Sequence, residues 1–270
     1  MLAPDAARFR ALDRRLAWRV ALAALGVRVL SHLVGFVTLL AFPVPQPNTV
    51  FPGPSPFWDV FTHFDSGWYE QIARHGYQYV VDSRVNIAYF PVYPMLMRYV
   101  GRLFGTYHAA FYFGGMVVSW LSFVGAMVAL YYLARLDLSP RTALRAVLLA
   151  AIFPFSYFFG EVYTESTFLL FTVLGFYGFR TRRWIFGGLM ASVAIATRVP
   201  GIMMMPALAW IAFRTALPTT KDRGLAVLGL VLALAGFAWY CGFVDSLSGD
   251  PFAWVKTAHG SPMPRIAGRP

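Results

Sequence analysis

The feature that most constrains this chain is a series of long apolar runs interrupted by few charges. The first extends from about Leu16 to Phe42, with Arg28 in its interior, and similar runs follow at roughly 109–134, 143–160, 164–179, 184–197, 199–214 and 224–244. A helix needs about 20 apolar residues to cross a 30 Å hydrocarbon core. Several of these runs are shorter, and Pro and Gly break them, as at Arg198-Val199-Pro200-Gly201. Such breaks are tolerated where short helices pack on one another or line a cavity. The expected fold is therefore all-α: a polytopic transmembrane bundle of about seven spans.

Composition agrees. Hydrophobic residues make up 58% of the chain and charged residues 13%, against about 45–50% and 25% in soluble domains. A soluble enzyme, a disordered hub and a coiled coil all fit poorly. The first run lacks a small-residue cleavage site and is too long for a signal-peptide core, so it reads as a membrane helix. The net charge of +11 would suggest a nucleic-acid partner in a soluble protein. Here the charges are split among short loops, which excludes a concentrated basic face. With the N-terminus in the cytoplasm, fourteen of the 23 lysines and arginines fall on the inside, as the positive-inside rule requires. Residues 43–108 then form a long extracytoplasmic loop, and the tail from Asp245 is also outside. The loop opens on a proline-rich stretch. It continues through Phe57 to Tyr77, where Trp58, Phe61, Phe64, Trp68, Tyr69 and Ile72 recur at helical spacing. That pattern predicts an amphipathic helix on the membrane surface.

Acidic residues are scarce, 12 in all, so each carries weight. Asp65 lies among aromatics in His63-Phe64-Asp65-Ser66-Gly67-Trp68-Tyr69. A partly desolvated carboxylate there can take a proton from a sugar hydroxyl. Equally, Asp65 can cap a helix that starts at Ser66. Glu161 and Glu165, four apart, share a face if their helix is continuous. They are either site groups at membrane depth or part of a solvated outer loop. Arg198 reaches the same outer face, as a phosphate ligand or as an arginine snorkelling to the interface. Arg28 and His32, within the first span, are expected to pair structurally with a carboxylate across the bundle. The single cysteine, Cys241, forbids an intrachain disulfide and reads as a small core residue. The sequence contains no P-loop, no dinucleotide fingerprint and no HExxH, so neither a cofactor nor a metal is expected.

Four segments, in order, resemble the bacterial PIG-V (GPI mannosyltransferase II) family, within the GT-C class of polytopic glycosyltransferases. The first is the Asp65 segment continued by Ile72-Ala73-Arg74-His75-Gly76-Tyr77. The second is Asn86-Ile87-Ala88-Tyr89-Phe90-Pro91-Val92-Tyr93-Pro94. The third is Tyr163-Thr164-Glu165-Ser166, and the fourth is Thr197-Arg198-Val199-Pro200-Gly201. Gly249-Asp250-Pro251-Phe252-Ala253 is also similar, and the likeness covers most of 15–260. The chain departs from the family at Phe64, where Trp is common, and at Val199, which separates Arg198 from Pro200. The family also usually continues through further helices, which implies a single membrane domain over 1–270 cut short at its C-terminal end.

The resemblance implies transfer of mannose or a related sugar from a polyprenyl-phosphate-linked donor to a lipid, glycan or protein acceptor, at the outer face of a bacterial inner membrane. It gives Asp65 the role of general base. Arg198 would meet the leaving phosphate, Glu165 would orient the acceptor or pair with Arg198, Glu161 would stand beside it in the substrate site, and Trp68, Tyr69, Tyr89 and Tyr93 would stack on sugar or pack against the prenyl chain. The competing reading is a non-catalytic protein, either a lipid-linked sugar flippase or an accessory subunit. It fits less well, because the acids gather at one face and no repeat is visible.

Overall fold

A computed structural model describes residues 4–42, 56–79, 86–215 and 220–257, with side chains from Asp13 onward. The proline-rich stretch at 43–55 and the tail past Thr257 lie outside the described residues. Within them the secondary structure is entirely helical. Three helices are long and apolar enough to cross a membrane: α1 (Pro4–Ala41), α5 (His108–Ala134) and α10 (Thr220–Ser248). A further bent pair passes the same test only when taken together, as a broken span or a re-entrant loop. It comprises α6 (Pro140–Ile152) and a 3-10 segment, Pro154–Gly160, bent by 77°. The remaining apolar runs form α7 (Glu165–Arg180), α8 (Trp184–Ile195) and α9 (Met205–Thr215), of 16, 12 and 11 residues. The chain is thus an integral membrane protein; among the described residues three helices, or four if the bent pair is one span, are long enough to cross alone, and the remaining expected runs are the shorter apolar helices.

The membrane helices bury one stripe and expose another. Leu16, Ala17, Val20, Ala24 and Arg28 of α1 face the bundle, while Trp18, Leu22, Val29, Leu33 and Val37 are exposed. Exposed apolar side chains of this kind are at home only in lipid. Where helices touch, glycine lets backbones meet. A Cβ added at Gly178 of α7 would lie 2.4 Å from Gly187 Cα of α8, and one at Gly188 would lie 2.3 Å from Gly229 O of α10. Close approach of this kind replaces the missing hydrophobic drive between membrane helices. Gly188→Ala is expected to cost about 1–3 kcal/mol and to lower the Tm of the detergent-solubilised protein. Gly242→Ala, where a Cβ meets nothing within 4 Å, should not.

The break after α6 has a local cause. Pro154 drives Phe153 to φ −57°, ψ 135°, and the residue before a proline avoids the helical region. Carbonyls freed by the break turn inward and are met by Arg28, which is fully buried. Its guanidinium donates to the carbonyl of Ser156, to Ser156 Oγ at 2.8 Å and, more weakly, to the Ala151 and Tyr157 carbonyls at 3.4 Å. It also lies over the Phe123 ring, 4.1 Å from the centroid. Among the described residues no carboxylate partners Arg28 or His32, contrary to the sequence expectation. Arg28 instead serves as a cationic cap on the α6 terminus.

The bundle has two polar ends. At one, ion pairs pin the helix joints: Asp13 with Arg135 at 2.8 Å, Asp137 with Arg180 at 2.7 Å and Asp222 with Arg182 at 3.6 Å. The other end gathers the helices of the long loop, the 161–164 turn, the segment from Ala196 to Val199, and α11 (Ala253–Thr257). The loop helices are α2 (Pro56–Asp59), α3 (Ser66–His75) and α4 (Val92–Arg102). The single amphipathic helix expected over Phe57 to Tyr77 is divided at 60–65. Of the six apolar positions expected on its face, Phe61, Tyr69 and Ile72 are buried in the protein, Trp58 and Trp68 are half-buried, and Phe64 is exposed. Buried Glu70 pairs with Arg74 on the same helix at 3.2 Å and ties α3 to His108 at the start of α5 at 2.8 Å.

Candidate functional site

The turn carrying Asp65 is fastened to the 161–164 turn. Val162 N donates to Phe61 O at 2.9 Å, and the Tyr163 hydroxyl donates to His63 O at 3.0 Å. Within it, Phe64 takes a φ of 41°, in a region costly for a bulky side chain. Asp65 occupies the N-cap position of α3 but makes no side-chain capping bond. Its Oδ1 accepts instead from the Tyr89 hydroxyl at 3.2 Å. Asp65 is exposed, so the partial desolvation expected of it does not occur.

Asp65 and Glu165 line one open cavity of about 340 Å³, together with Phe64, Tyr69, Phe158 and Tyr163. Burial, followed by the negative charge of Asp65, pushes the Tyr69 phenol upward. Burial and then Glu161 do the same for Tyr163. Both phenols therefore stay protonated and can donate. Glu165 is the first residue of α7, and its Oε1 accepts from Arg198 Nη1. Arg198 is extended, with φ −153°, ahead of Val199 and Pro200. Its neighbourhood is fixed by Val92 N donating to Ala196 O at 3.3 Å. The site therefore draws on loop α3, the head of α7 and the end of α8.

The other sequence-predicted residues divide. Trp68 stacks on Tyr89 with centroids 5.6 Å apart, and Tyr69 meets Tyr89 edge-on at 5.5 Å. Tyr93 is fully buried and bonds Gly115 O and Ser119 Oγ, away from the cavity lining. Glu161 and Glu165 do not share a helical face, because Glu161 caps the 3-10 segment and α7 begins only at Glu165. Nor is Glu161 part of a solvated loop, being 2% exposed. Sequence reasoning missed Phe158 and Tyr163 as wall residues, although Tyr163 stood in a quoted motif.

Glu161 has a measurable consequence. Burial, reinforced by the charge of Glu165, raises its carboxyl from 4.5 to about 8. A carboxyl raised on folding holds its proton more tightly in the folded state. Its stabilising contribution is therefore complete below pH 4.5 and is lost as pH climbs towards 8. Glu161→Gln should match the wild-type Tm near pH 4.5 and exceed it by several degrees at pH 8, as read by melting curves across that range.

Residues 89–241 match the family described as dolichyl-phosphate-mannose-protein mannosyltransferase. That segment includes Tyr89, Glu165 and Arg198, while Asp65 precedes it. The chain is also similar to an uncharacterized protein of Aquifex aeolicus (strain VF5), 25% identical over 148 residues. The match covers 54% of this chain and 35% of the relative, so the chain spans about a third of that protein's length. No solved structure matches.

Proposed function

The chain belongs to the dolichyl-phosphate-mannose-protein mannosyltransferase family, and from that premise we propose that it is a membrane glycosyltransferase of the GT-C class. In this reading it moves mannose, or a related sugar, from a polyprenyl-phosphate donor to an acceptor hydroxyl. The observation that carries the proposal is the shared cavity, with exposed Asp65 on one wall and the Glu165–Arg198 pair at another. The acceptor oxygen bonds to the anomeric carbon as the bond from that carbon to the phosphate oxygen breaks. Asp65 takes the acceptor proton, and the departing phosphate keeps the electron pair. Arg198 is the cation placed to meet that growing charge, exchanging Glu165 for phosphate as it does so.

A row of partly exposed rings, Phe153, Phe155 and Phe158, leads from the α6 break to the cavity. It supports a donor with an apolar chain. The narrower PIG-V-type assignment rests on the four motifs, and the motif carrying Asp65 precedes the family match. The orientation, with N-terminus and ion-paired end in the cytoplasm, and the bacterial inner membrane belong to the same proposal, as does a single membrane domain bearing the 43–108 loop.

The test incubates membranes containing the chain with radiolabelled polyprenyl-phosphate-mannose and a crude lipid extract, beside the Asp65→Asn variant. Label transfer that depends on Asp65 supports the reading. Equal transfer by both proteins would overturn the assignment of the base.

A further inference from the structure

The loop from Asn86 to Pro91 holds Tyr89, and with it the hydroxyl that bonds Asp65. This loop is a 3-10 turn followed by an irregular bend, so several of its carbonyls lack helical partners. Buried carbonyls must find donors elsewhere. Two tyrosines supply them. Tyr77, just after α3, donates to Tyr89 O at 2.6 Å. Tyr240 reaches in from α10, 151 residues along the chain from Tyr89. Its hydroxyl lies 2.6 Å from Ile87 O and 3.2 Å from Tyr89 O.

Tyr240 is fully buried, and its ring packs against Phe90 with centroids 4.4 Å apart. It stands on an otherwise apolar stretch of a membrane helix, where a hydroxyl is costly unless bonded. Both of its contacts fall on the backbone either side of Ala88. Tyr89 O takes the Tyr77 proton, while the single Tyr240 proton goes chiefly to the nearer Ile87 O, with Tyr89 O also within its reach. The tyrosine ring that grips Asp65 at its tip and stacks on Trp68 along its face is thereby fixed at its root.

We infer that Tyr240 is a positioning residue for the Tyr89–Asp65 pair, linking the last long membrane helix to the reacting carboxylate. The inference rests on the proposed role of Asp65 for its kinetic consequence, but its geometric consequence is independent of that role. Placing a reacting group wrongly by an ångström costs on the order of 10²-fold in rate, and losing one of two anchors should cost less than that.

The experiment compares Tyr240→Phe with Tyr131→Phe. Tyr131 is equally buried, but its hydroxyl bonds Asp13 at 2.9 Å at the opposite end of the bundle. Both variants lose one interior hydroxyl and keep the ring, so both should melt somewhat earlier. Two readouts separate them. In protein labelled with 5-fluorotryptophan, the Trp68 resonance, assigned by its loss in Trp68→Phe, should shift or broaden in Tyr240→Phe and stay put in Tyr131→Phe. In the mannose-transfer assay, Tyr240→Phe should lower kcat by about tenfold with donor KM within twofold, and it should add nothing further in the Asp65→Asn background. An unmoved Trp68 resonance in folded Tyr240→Phe overturns the inference. If Asp65→Asn is fully active while the resonance shifts, the proposed function has failed and the positioning role stands.

Discussion

Asp65→Asn and Asp65→Ala are both expected to lose sugar transfer by about 10²–10⁴-fold, the usual contribution of a positioned general base, while melting within about 1–2 °C of the wild type. The pairing of these two outcomes is the informative part. Asn is as good an N-cap as Asp, and Ala is a poor one that costs about 1 kcal/mol where a cap bond exists. A helix-capping Asp65 would therefore tolerate Asn and suffer with Ala. In the structure no capping bond is made, and the carboxylate is held by the Tyr89 hydroxyl. Removing it should leave α3 intact, because α3 is secured by the burial of Tyr69, Ile72 and Ala73 and by the Glu70 tether. Activity measured on label transfer, beside circular-dichroism melting of the same preparations, checks both halves. Ala destabilising strongly while Asn retains activity would return Asp65 to a capping role.

The sequence reached the fold class and most of the individual helices because hydropathy and helix period are local properties. Span number was harder to read, since it depends on how far a helix continues and not on how apolar a run is. The run at 143–160 looked like one crossing, yet Pro154 turns it by 77°. Asp65, Glu165 and Arg198 were singled out one at a time, because a charge in an apolar chain is conspicuous. That Asp65 and Glu165 line one cavity, with Arg198 held behind Glu165, was visible only as a shared face. The buried state of Glu161 could not be read, because it depends on the α6 break placing the 3-10 segment and the 161–164 turn against the α3 loop. Tyr240 was equally silent, since a tyrosine in an aromatic-rich helix carries no periodic signal. Only the three-dimensional structure shows which carbonyls it serves.

Arg28 offers the largest expected effect on stability. Replacing buried ionic groups with apolar ones of similar volume is often neutral, provided all partners are replaced together. Arg28 does not allow that, because its partners are backbone carbonyls of Ser156, Tyr157 and Ala151 that no substitution deletes. In Arg28→Met, Ser156 Oγ keeps its bond to Ala151 O at 2.7 Å, so that carbonyl remains satisfied. The Ser156 carbonyl loses its charged donor at a depth where water does not substitute. The expected cost is about 3–5 kcal/mol, the range for breaking a buried charged contact, with much reduced accumulation of folded protein in membranes. Arg28→Lys should recover part of it, because a single ammonium keeps the charge but lacks the planar fork that spans separated acceptors. The effect should spread to the cavity, since the 3-10 segment held by Arg28 carries Phe158 and leads directly to Glu161 and Glu165. Hydrogen exchange of solubilised Arg28→Lys should show faster exchange at 153–160 and at 161–165, with the Asp13–Arg135 end unchanged. Uniform loss of protection across the bundle would indicate general destabilisation and would sink the claim that Arg28 braces the bent pair in particular.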